Sequence, residues 1–167
     1  MLIDTASDAD AGALWAIYTD VLREGRWFIT HVDEYKGTEE SHAKAIRDRN
    51  SETNSRLLVA RVDDRVVGAL SIMGGVLERT RHVGMIELYV ERDARGRGVG
   101  KALMDAGLMW SQSNPILRKL ALHVFEDNTR AVELYRGLGF ETEGRLRNEF
   151  MEEDGRFRHD LMMARAV

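Results

Sequence analysis

Three glycines stand at alternate positions in the segment 95–100, Arg-Gly-Arg-Gly-Val-Gly, and they form the strongest chemical signal in the sequence. A hydrophobic run ending at Val90 precedes them, and an amphipathic helical pattern follows at once. Glycine permits positive φ and lets a ligand approach the backbone, and successive amide N–H groups at a helix start form an anion site. Positive charge is added by Arg92, Arg95, Arg97 and Lys101. The segment predicts binding of a phosphate or pyrophosphate.

The glycine spacing fits neither of the two common nucleotide-binding loops. A dinucleotide-binding loop needs GxGxxG, but position 101 is lysine rather than the third glycine. A Walker A loop needs glycine at 95 and Ser or Thr at 102, where this chain has Arg95 and Ala102. A solvated glycine-rich turn is the alternative, so the motif alone leaves the ligand open.

A second block of residues, 128–140, reads Asn-Thr-Arg-Ala-Val-Glu-Leu-Tyr-Arg-Gly-Leu-Gly-Phe. Together with Arg95-x-x-Gly98-x-Gly100, it resembles the GNAT superfamily of acyl-coenzyme A-dependent N-acyltransferases. The two blocks and their strands cover about the second half of the chain, and the first half agrees only in its pattern of elements. The ending, from Glu143 to Met163, is similar to the branch that acetylates free amino acids, phosphinothricin-like analogues or protein N-termini.

This resemblance implies acetyl-CoA as the acetyl donor and assigns residues to it. The backbone near Leu88, Tyr89 and Val90 would pair with the pantetheine arm as an added strand. Asn128 would lie against the same arm, and Arg130 would reach the phosphates. The backbone amides expected to hold the pyrophosphate belong to Arg95, Gly96, Arg97, Gly98, Val99, Gly100 and Lys101.

Glu87 and Tyr135 are the predicted catalytic pair. The chain has no cysteine, which excludes an acetyl-cysteine intermediate and favours direct attack by an amine in a ternary complex. Relatives often place a carboxylate where Glu87 stands, so it is the first candidate for the base, although a structural charge pair is an equal alternative. His123 is the second candidate for the base, against a simple structural role. The resemblance makes Tyr135, rather than a core tyrosine, the acid that protonates the leaving thiolate or at least donates a hydrogen bond to it.

The acceptor pocket is assigned to an aromatic stretch that suits neither the surface nor a regular helix, namely Trp27, Phe28, Thr30 and His31. Ordinary core packing is the alternative for its two aromatic residues. An acidic run at 149–154 indicates a solvated hairpin tip, or attraction of a cationic acceptor. We expect a primary amine of a small, amino acid-like molecule. The alternatives are a protein N-terminus, a polyamine or aminoglycoside, and a non-catalytic acyl-CoA-binding domain.

The elements that must position these residues follow from periodicity. Helices are predicted from Asp8 or Asp10, from Thr38 to Asn50, from Gly98 to Ser113 and from Asn128 to Leu138. Predicted strands are 57–62, 65–72, 83–91 and 119–125, with a hairpin from Phe140 to Met163 turned at Asp154-Gly155. The order predicts an α/β (α+β) fold, a mixed, mostly antiparallel sheet of about six or seven strands with about four helices.

Length and composition bound the remaining possibilities. With 167 residues, the chain suits one domain, 1–167. Its net charge of -4 argues against nucleic acid and acidic membranes as partners. The absence of cysteine removes thiolate metal sites, and we expect no metal. No signal peptide or membrane span is visible, which favours a cytoplasmic protein. The family resemblance also suggests a homodimer.

Overall fold

A computed structural model describes all 167 residues and contains a seven-stranded sheet with four helices. The sheet order is β1-β2-β3-β4-β5-β7-β6, and every neighbouring pair is antiparallel except β4 and β5. The strands are β1 Leu2–Thr5, β2 Arg56–Val62, β3 Arg65–Gly74, β4 Val83–Val90, β5 Lys119–Phe125, β6 Glu141–Met151 and β7 Phe157–Ala166. The helices are α1 Ala11–Arg23, α2 Glu39–Ser51, α3 Val99–Ser113 and α4 Thr129–Gly137. The predicted fold class is confirmed.

Local signals in the sequence account for most element boundaries. The turn between β2 and β3 places Asp63 and Asp64 at φ 49° and 61°, a left-handed conformation that aspartate tolerates in two-residue hairpins. Thr38 caps α2 by accepting from the Ser41 amide at 3.2 Å. Strand β1 was not predicted, because four residues at a sheet edge show too little alternation to be recognised.

Two helix pairs cover opposite faces of the sheet. Helices α3 and α4 pack on one face around a core of 21 buried residues that includes Leu103, Leu120 and Met163. Helices α1 and α2 pack on the other face around 11 buried residues that include Leu14 and Ile46. No helix combines the length and the apolar content needed to cross a membrane.

Candidate active site

A fork in the centre of the sheet is the main architectural feature of the candidate site. Strands β4 and β5 pair only over 83–85 and 119–121. Beyond these rungs β4 stays paired with β3 as far as Val90, and β5 stays paired with β7 as far as Phe125. The facing edges of β4 and β5 therefore separate within the sheet and leave backbone groups without a strand partner.

The direction of the β4 backbone groups shows which of them face the fork. The N–H of Glu91 donates to the Val67 carbonyl at 2.8 Å, so its backbone points toward β3. Alternate residues of a strand direct their backbone to the same side, so Tyr89 also points toward β3, where it pairs with Ala69. Leu88 and Val90 point into the fork. Of the three β4 residues predicted to pair with pantetheine, these two can do so through their backbone.

The glycine loop forms a nest of unpaired amides where β4 ends. Gly96 and Gly98 have φ values of 80° and 82°, and Gly98 is the N-cap of α3. The N–H groups of residues 96 to 101 donate to no protein acceptor. Such a run of free N–H groups at a helix N-terminus suits a pyrophosphate. A free backbone N–H for a pyrophosphate is therefore present at six of the predicted residues, Gly96, Arg97, Gly98, Val99, Gly100 and Lys101.

Arg95 has a different environment from the one expected of a phosphate-binding residue. Its guanidinium makes two hydrogen bonds of 2.7 Å to the Glu24 carboxylate, and its Nε donates to the Val90 carbonyl at 2.8 Å. Its own amide donates to the Arg92 carbonyl. Arg95 thus joins the C-terminal end of α1 to the end of β4, where the glycine loop begins.

Helix α4 brings further predicted residues to the same region. The Nη2 of Arg130 lies 3.5 Å from the position that a Cβ on Gly96 would occupy, so a flexible cation stands beside the nest. The Asn128 side chain caps α4 by accepting from the Ala131 amide at 3.3 Å. Lys101 pairs with Asp105 at 2.7 Å on the exposed side of α3.

Tyr135 lies on α4, in the core on the face of the sheet that α3 and α4 cover. The residue is 7% exposed, and its hydroxyl makes no hydrogen bond with another protein group. Burial raises the pKa of Tyr135 to about 12. The hydroxyl therefore stays protonated across the range in which proteins work and can donate a hydrogen bond to an anionic sulfur.

Glu87 points to the opposite face, into an aromatic cluster under α1 and α2. The hydroxyl of Tyr18 donates to its Oε1 at 3.2 Å. The ring of Tyr18 packs at 5.2–5.4 Å between centroids on those of Phe28, Tyr35 and Tyr89. The cluster is completed by a 2.5 Å hydrogen bond between Tyr35 and His42. The Glu87 carboxylate thus has one protein hydrogen-bond partner and is surrounded largely by aromatic side chains.

Burial governs the ionisation of this cluster. It raises the pKa of Glu87, and the opposing effects of the Tyr18 hydrogen bond and the charge of Arg49 do not outweigh it. Burial and the nearby Glu87 charge also raise the pKa values of Tyr18 and Tyr35. Burial lowers the pKa of His42. A carboxylate with a raised pKa is a stronger base than an exposed one, which suits proton removal from an amine.

The segment between α1 and α2 lines a cleft beside this cluster. A cavity of about 200 Å³ has Phe28, Thr30 and His31 on one side, and Phe125 with the β6–β7 hairpin on the other. Phe28 also contacts Tyr18, the hydrogen-bond partner of Glu87, so the cleft and the aromatic cluster share Phe28. The fourth predicted residue, Trp27, does not line the cleft.

Arg158 holds the hairpin against this segment. Its guanidinium donates to the Arg26 carbonyl at 2.7 Å and to Asp127 at 2.6 Å, and it stacks on Phe125 at 3.7 Å. Trp27 packs on the same guanidinium at 5.4 Å. Trp27 therefore supports the wall of the cleft through Arg158.

Sequence reasoning did not identify Tyr18, Tyr35, His42 or Glu24 as parts of the site. Tyr18 lies on the apolar stripe of α1, where a tyrosine hydroxyl needs a partner when it is buried. That requirement was the one available signal, and it did not name Glu87 as the partner. No group of three His, Asp or Glu side chains is arranged to hold a metal ion.

Comparison with known proteins agrees with this geometry. The profile of the Acetyltransferase (GNAT) family matches residues 14–140. Spermidine N(1)-acetyltransferase from Vibrio cholerae is 27% identical over 124 residues, which cover 74% of this chain and 69% of that protein. L-amino acid N-acetyltransferase AaaT from Escherichia coli is 36% identical over 87 residues, which cover 52% of this chain and 54% of that protein.

A solved structure extends the similarity to the whole chain. An acetyltransferase of the GNAT family from Streptococcus pneumoniae superposes with a TM-score of 0.93, at 26% identity and with 99% of both chains covered. The fork, the amide nest and the helices that flank them lie within this shared fold. The chain therefore belongs to the acetyltransferase (GNAT) family and is an acetyl-CoA-dependent acyltransferase.

Proposed function

We propose that the protein acetylates the primary amine of a small, amino acid-like acceptor. The observation that supports this most directly is Glu87, which stands at the fork within an aromatic cluster that shares Phe28 with a small cleft. A cleft of about 200 Å³ suits a molecule of amino acid size. The similarity to a relative named as an L-amino acid N-acetyltransferase points in the same direction.

In this proposal the donor occupies the nest and the fork. The free amides of residues 96–101 bind the pyrophosphate, and Arg130 and Arg97 supply positive charge. The backbone of Leu88 and Val90 pairs with the pantetheine arm, with Asn128 beside it. Acetyl-CoA supplies the activated acetyl group. The arm enters the fork from the phosphate end, so its thioester lies toward Glu87.

The amine attacks the thioester directly, because the chain has no cysteine to carry the acetyl group. An α-amino group with a pKa near 8 is about one-tenth neutral at pH 7, which costs roughly 1.4 kcal/mol. A lysine-like amine costs roughly 4.6 kcal/mol and depends far more on a base. Glu87 removes a proton from the amine, and Tyr135 donates a hydrogen bond to the departing sulfur.

The raised pKa of Tyr135 refines its role. Complete proton transfer from an acid near 12 to a thiolate whose acid titrates near 8.5 costs about 5 kcal/mol. The Tyr135 hydroxyl therefore stabilises the leaving sulfur chiefly as a hydrogen-bond donor.

The test is thiol release from acetyl-CoA with a panel of amines that includes amino acids, phosphinothricin-like analogues, polyamines, aminoglycosides and N-terminal peptides. Release that depends on amino acids or their analogues is the expected result. A preference for polyamines would contradict the amino acid proposal. It would indicate that Glu149 and Glu152, which line the cleft, bind a cationic acceptor. Binding of acetyl-CoA without release by any amine would favour a non-catalytic acyl-CoA-binding domain.

A further inference from the structure

A histidine–aspartate pair stands across the fork from Glu87. Met85 and Ala121 form the last rung shared by β4 and β5. Glu87 and His123 each lie two residues beyond that rung, and residues two apart on a strand project to the same face. The two side chains therefore point to the same face of the sheet, on opposite sides of the opening where the thioester end of acetyl-CoA belongs.

The surroundings of His123 differ from those of a buried structural histidine. Its Nδ1 lies 2.5 Å from Oδ2 of Asp160, whose side chain is 3% exposed and has no other side-chain partner. The imidazole itself is 46% exposed. A carboxylate only accepts hydrogen bonds, so the neutral imidazole carries its proton on Nδ1 and has its lone pair on Nε2. Nε2 has no protein partner, which leaves a proton acceptor on an imidazole that is open to solvent.

The stoichiometry of the reaction requires one proton to reach the solvent. An acceptor that arrives as R–NH3⁺ reacts with acetyl-CoA to give the amide, the coenzyme A thiol and one H⁺. The nitrogen therefore loses two protons as the C–N bond forms and the C–S bond breaks. Glu87 can take one of them and pass it on to the leaving thiolate, and the other must reach the solvent through a group that is open to it. Tyr135 accepts neither, because its hydroxyl is already protonated and its pKa is high.

We infer that His123 is a second catalytic base of this site, held in the productive tautomer and orientation by Asp160. Nε2 takes the first proton from the acceptor ammonium and releases it to solvent, to which the imidazole is open. The neutral amine then attacks, and Glu87 takes the second proton as the amide forms. The departing thiolate, which accepts a hydrogen bond from Tyr135, takes up the proton held by Glu87 and ends as the thiol, so one H⁺ is released in total. This inference rests on the proposed acetylation of an amine.

The experiment compares the H123Q variant with wild type, using the best acceptor from the amine panel. We expect kcat/KM to fall about 100-fold near pH 7, a usual contribution of a single acid–base group. The deficit should shrink as the pH approaches and passes the pKa of the acceptor amine, because the amine is then already neutral. Asp160→Asn should reproduce part of the loss, and added imidazole should restore activity to His123→Ala.

His159 supplies the matched control, since its imidazole is also partly exposed and accepts a hydrogen bond from the Asn148 amide, but its side chain points to the opposite face of β7. His159→Gln should keep wild-type kcat/KM at every pH. Equal melting temperatures and acetyl-CoA affinities for all variants would separate loss of a base from loss of the fold. A wild-type pH profile for H123Q, or a deficit that is the same at all pH values, would overturn the inference. Wild-type enzyme without acceptor-dependent thiol release would instead contradict the proposed function.

Discussion

At the scale of single residues, Tyr135 offers the most direct test of the leaving-group assignment. Tyr135→Phe removes a hydroxyl that has no protein hydrogen bond, so the fold should tolerate it. Loss of a hydrogen bond to an anionic sulfur should lower kcat by about 10- to 100-fold, corresponding to roughly 1.5–3 kcal/mol. The KM for acetyl-CoA should change little. Steady-state kinetics with unchanged kcat would remove Tyr135 from the mechanism.

At the same scale, the raised pKa of Glu87 leads us to expect that kcat/KM depends on pH. A base must be ionised, and burial raises the pKa of Glu87, so its contribution to kcat/KM is lost as the pH falls through that raised pKa. Glu87→Gln should lower kcat/KM about 100-fold and remove this component from the acid limb. Glu91→Gln, at a carboxylate paired with Arg65, is the control and should keep the wild-type profile.

The raised pKa of Glu87 also affects the free energy of unfolding. A carboxyl group whose pKa is raised in the folded state contributes stability below its unfolded pKa, and this is lost as the pH rises through the folded pKa. The ionised form of Glu87 therefore disfavours the fold, and Gln can still accept from Tyr18. Urea unfolding at pH 7 should find E87Q at least as stable as wild type, and a large loss would indicate a structural role for the charge.

At the scale of elements, Arg95 connects α1 with the loop that follows β4. Arg95 and Glu24 are 25% and 17% exposed in their side chains, so their pair is shielded from solvent. Lysine cannot bridge a carboxylate with two donors while also reaching the Val90 carbonyl. Arg95→Lys should cost about 1–3 kcal/mol of stability and raise the KM for acetyl-CoA. Arg92→Lys, at an exposed arginine without an ion pair, should do neither.

The glycine loop supplies a second prediction at this scale. Gly98 lies at φ 82°, where a side chain is strained, and a Cβ there would stand in open space at the nest. Gly98→Ala should cost about 1–2 kcal/mol of stability and raise the Kd for acetyl-CoA at least about tenfold. Gly100 is helical, and its Cβ would contact Leu134 and Leu88 at 3.6–3.7 Å. Gly100→Ala should therefore bind acetyl-CoA normally, and equal Kd values for the two variants would contradict the nest.

At the scale of the whole molecule, the proposed donor site joins both halves of the sheet. β4 and β5 share only three rungs, so a ligand in the fork adds contacts between parts that are otherwise weakly connected. Acetyl-CoA at 100 times its Kd should raise the free energy of unfolding by about 2.7 kcal/mol. Calorimetry should give a similar gain with free coenzyme A, which offers the same pyrophosphate. No shift of the melting temperature with either ligand would contradict the assigned site.

Periodicity and turn chemistry predicted the fold with few errors. Alternating apolar residues indicated six of the seven strands, and cap residues such as Thr38 and Asn128 indicated helix starts. Strand β1 was missed because its role is set by pairing with β2 rather than by its own pattern. A cytoplasmic location and a homodimer stay predictions of the sequence.

The glycine loop by itself indicated a phosphate ligand, because its backbone geometry is dictated by local residue types, and its resemblance to GNAT sequences, together with that of the block at 128–140, indicated the family and the donor. The acceptor side depended on tertiary structure. Tyr18 meets Glu87 across 69 positions of sequence, and His123 meets Asp160 across 37. The sequence predicted a role for the Arg95 backbone in phosphate binding, and it gave no sign that the Arg95 side chain pairs with Glu24, 71 positions away. Such pairings follow from strand order and helix packing, and the spacing of residues along the chain does not encode them.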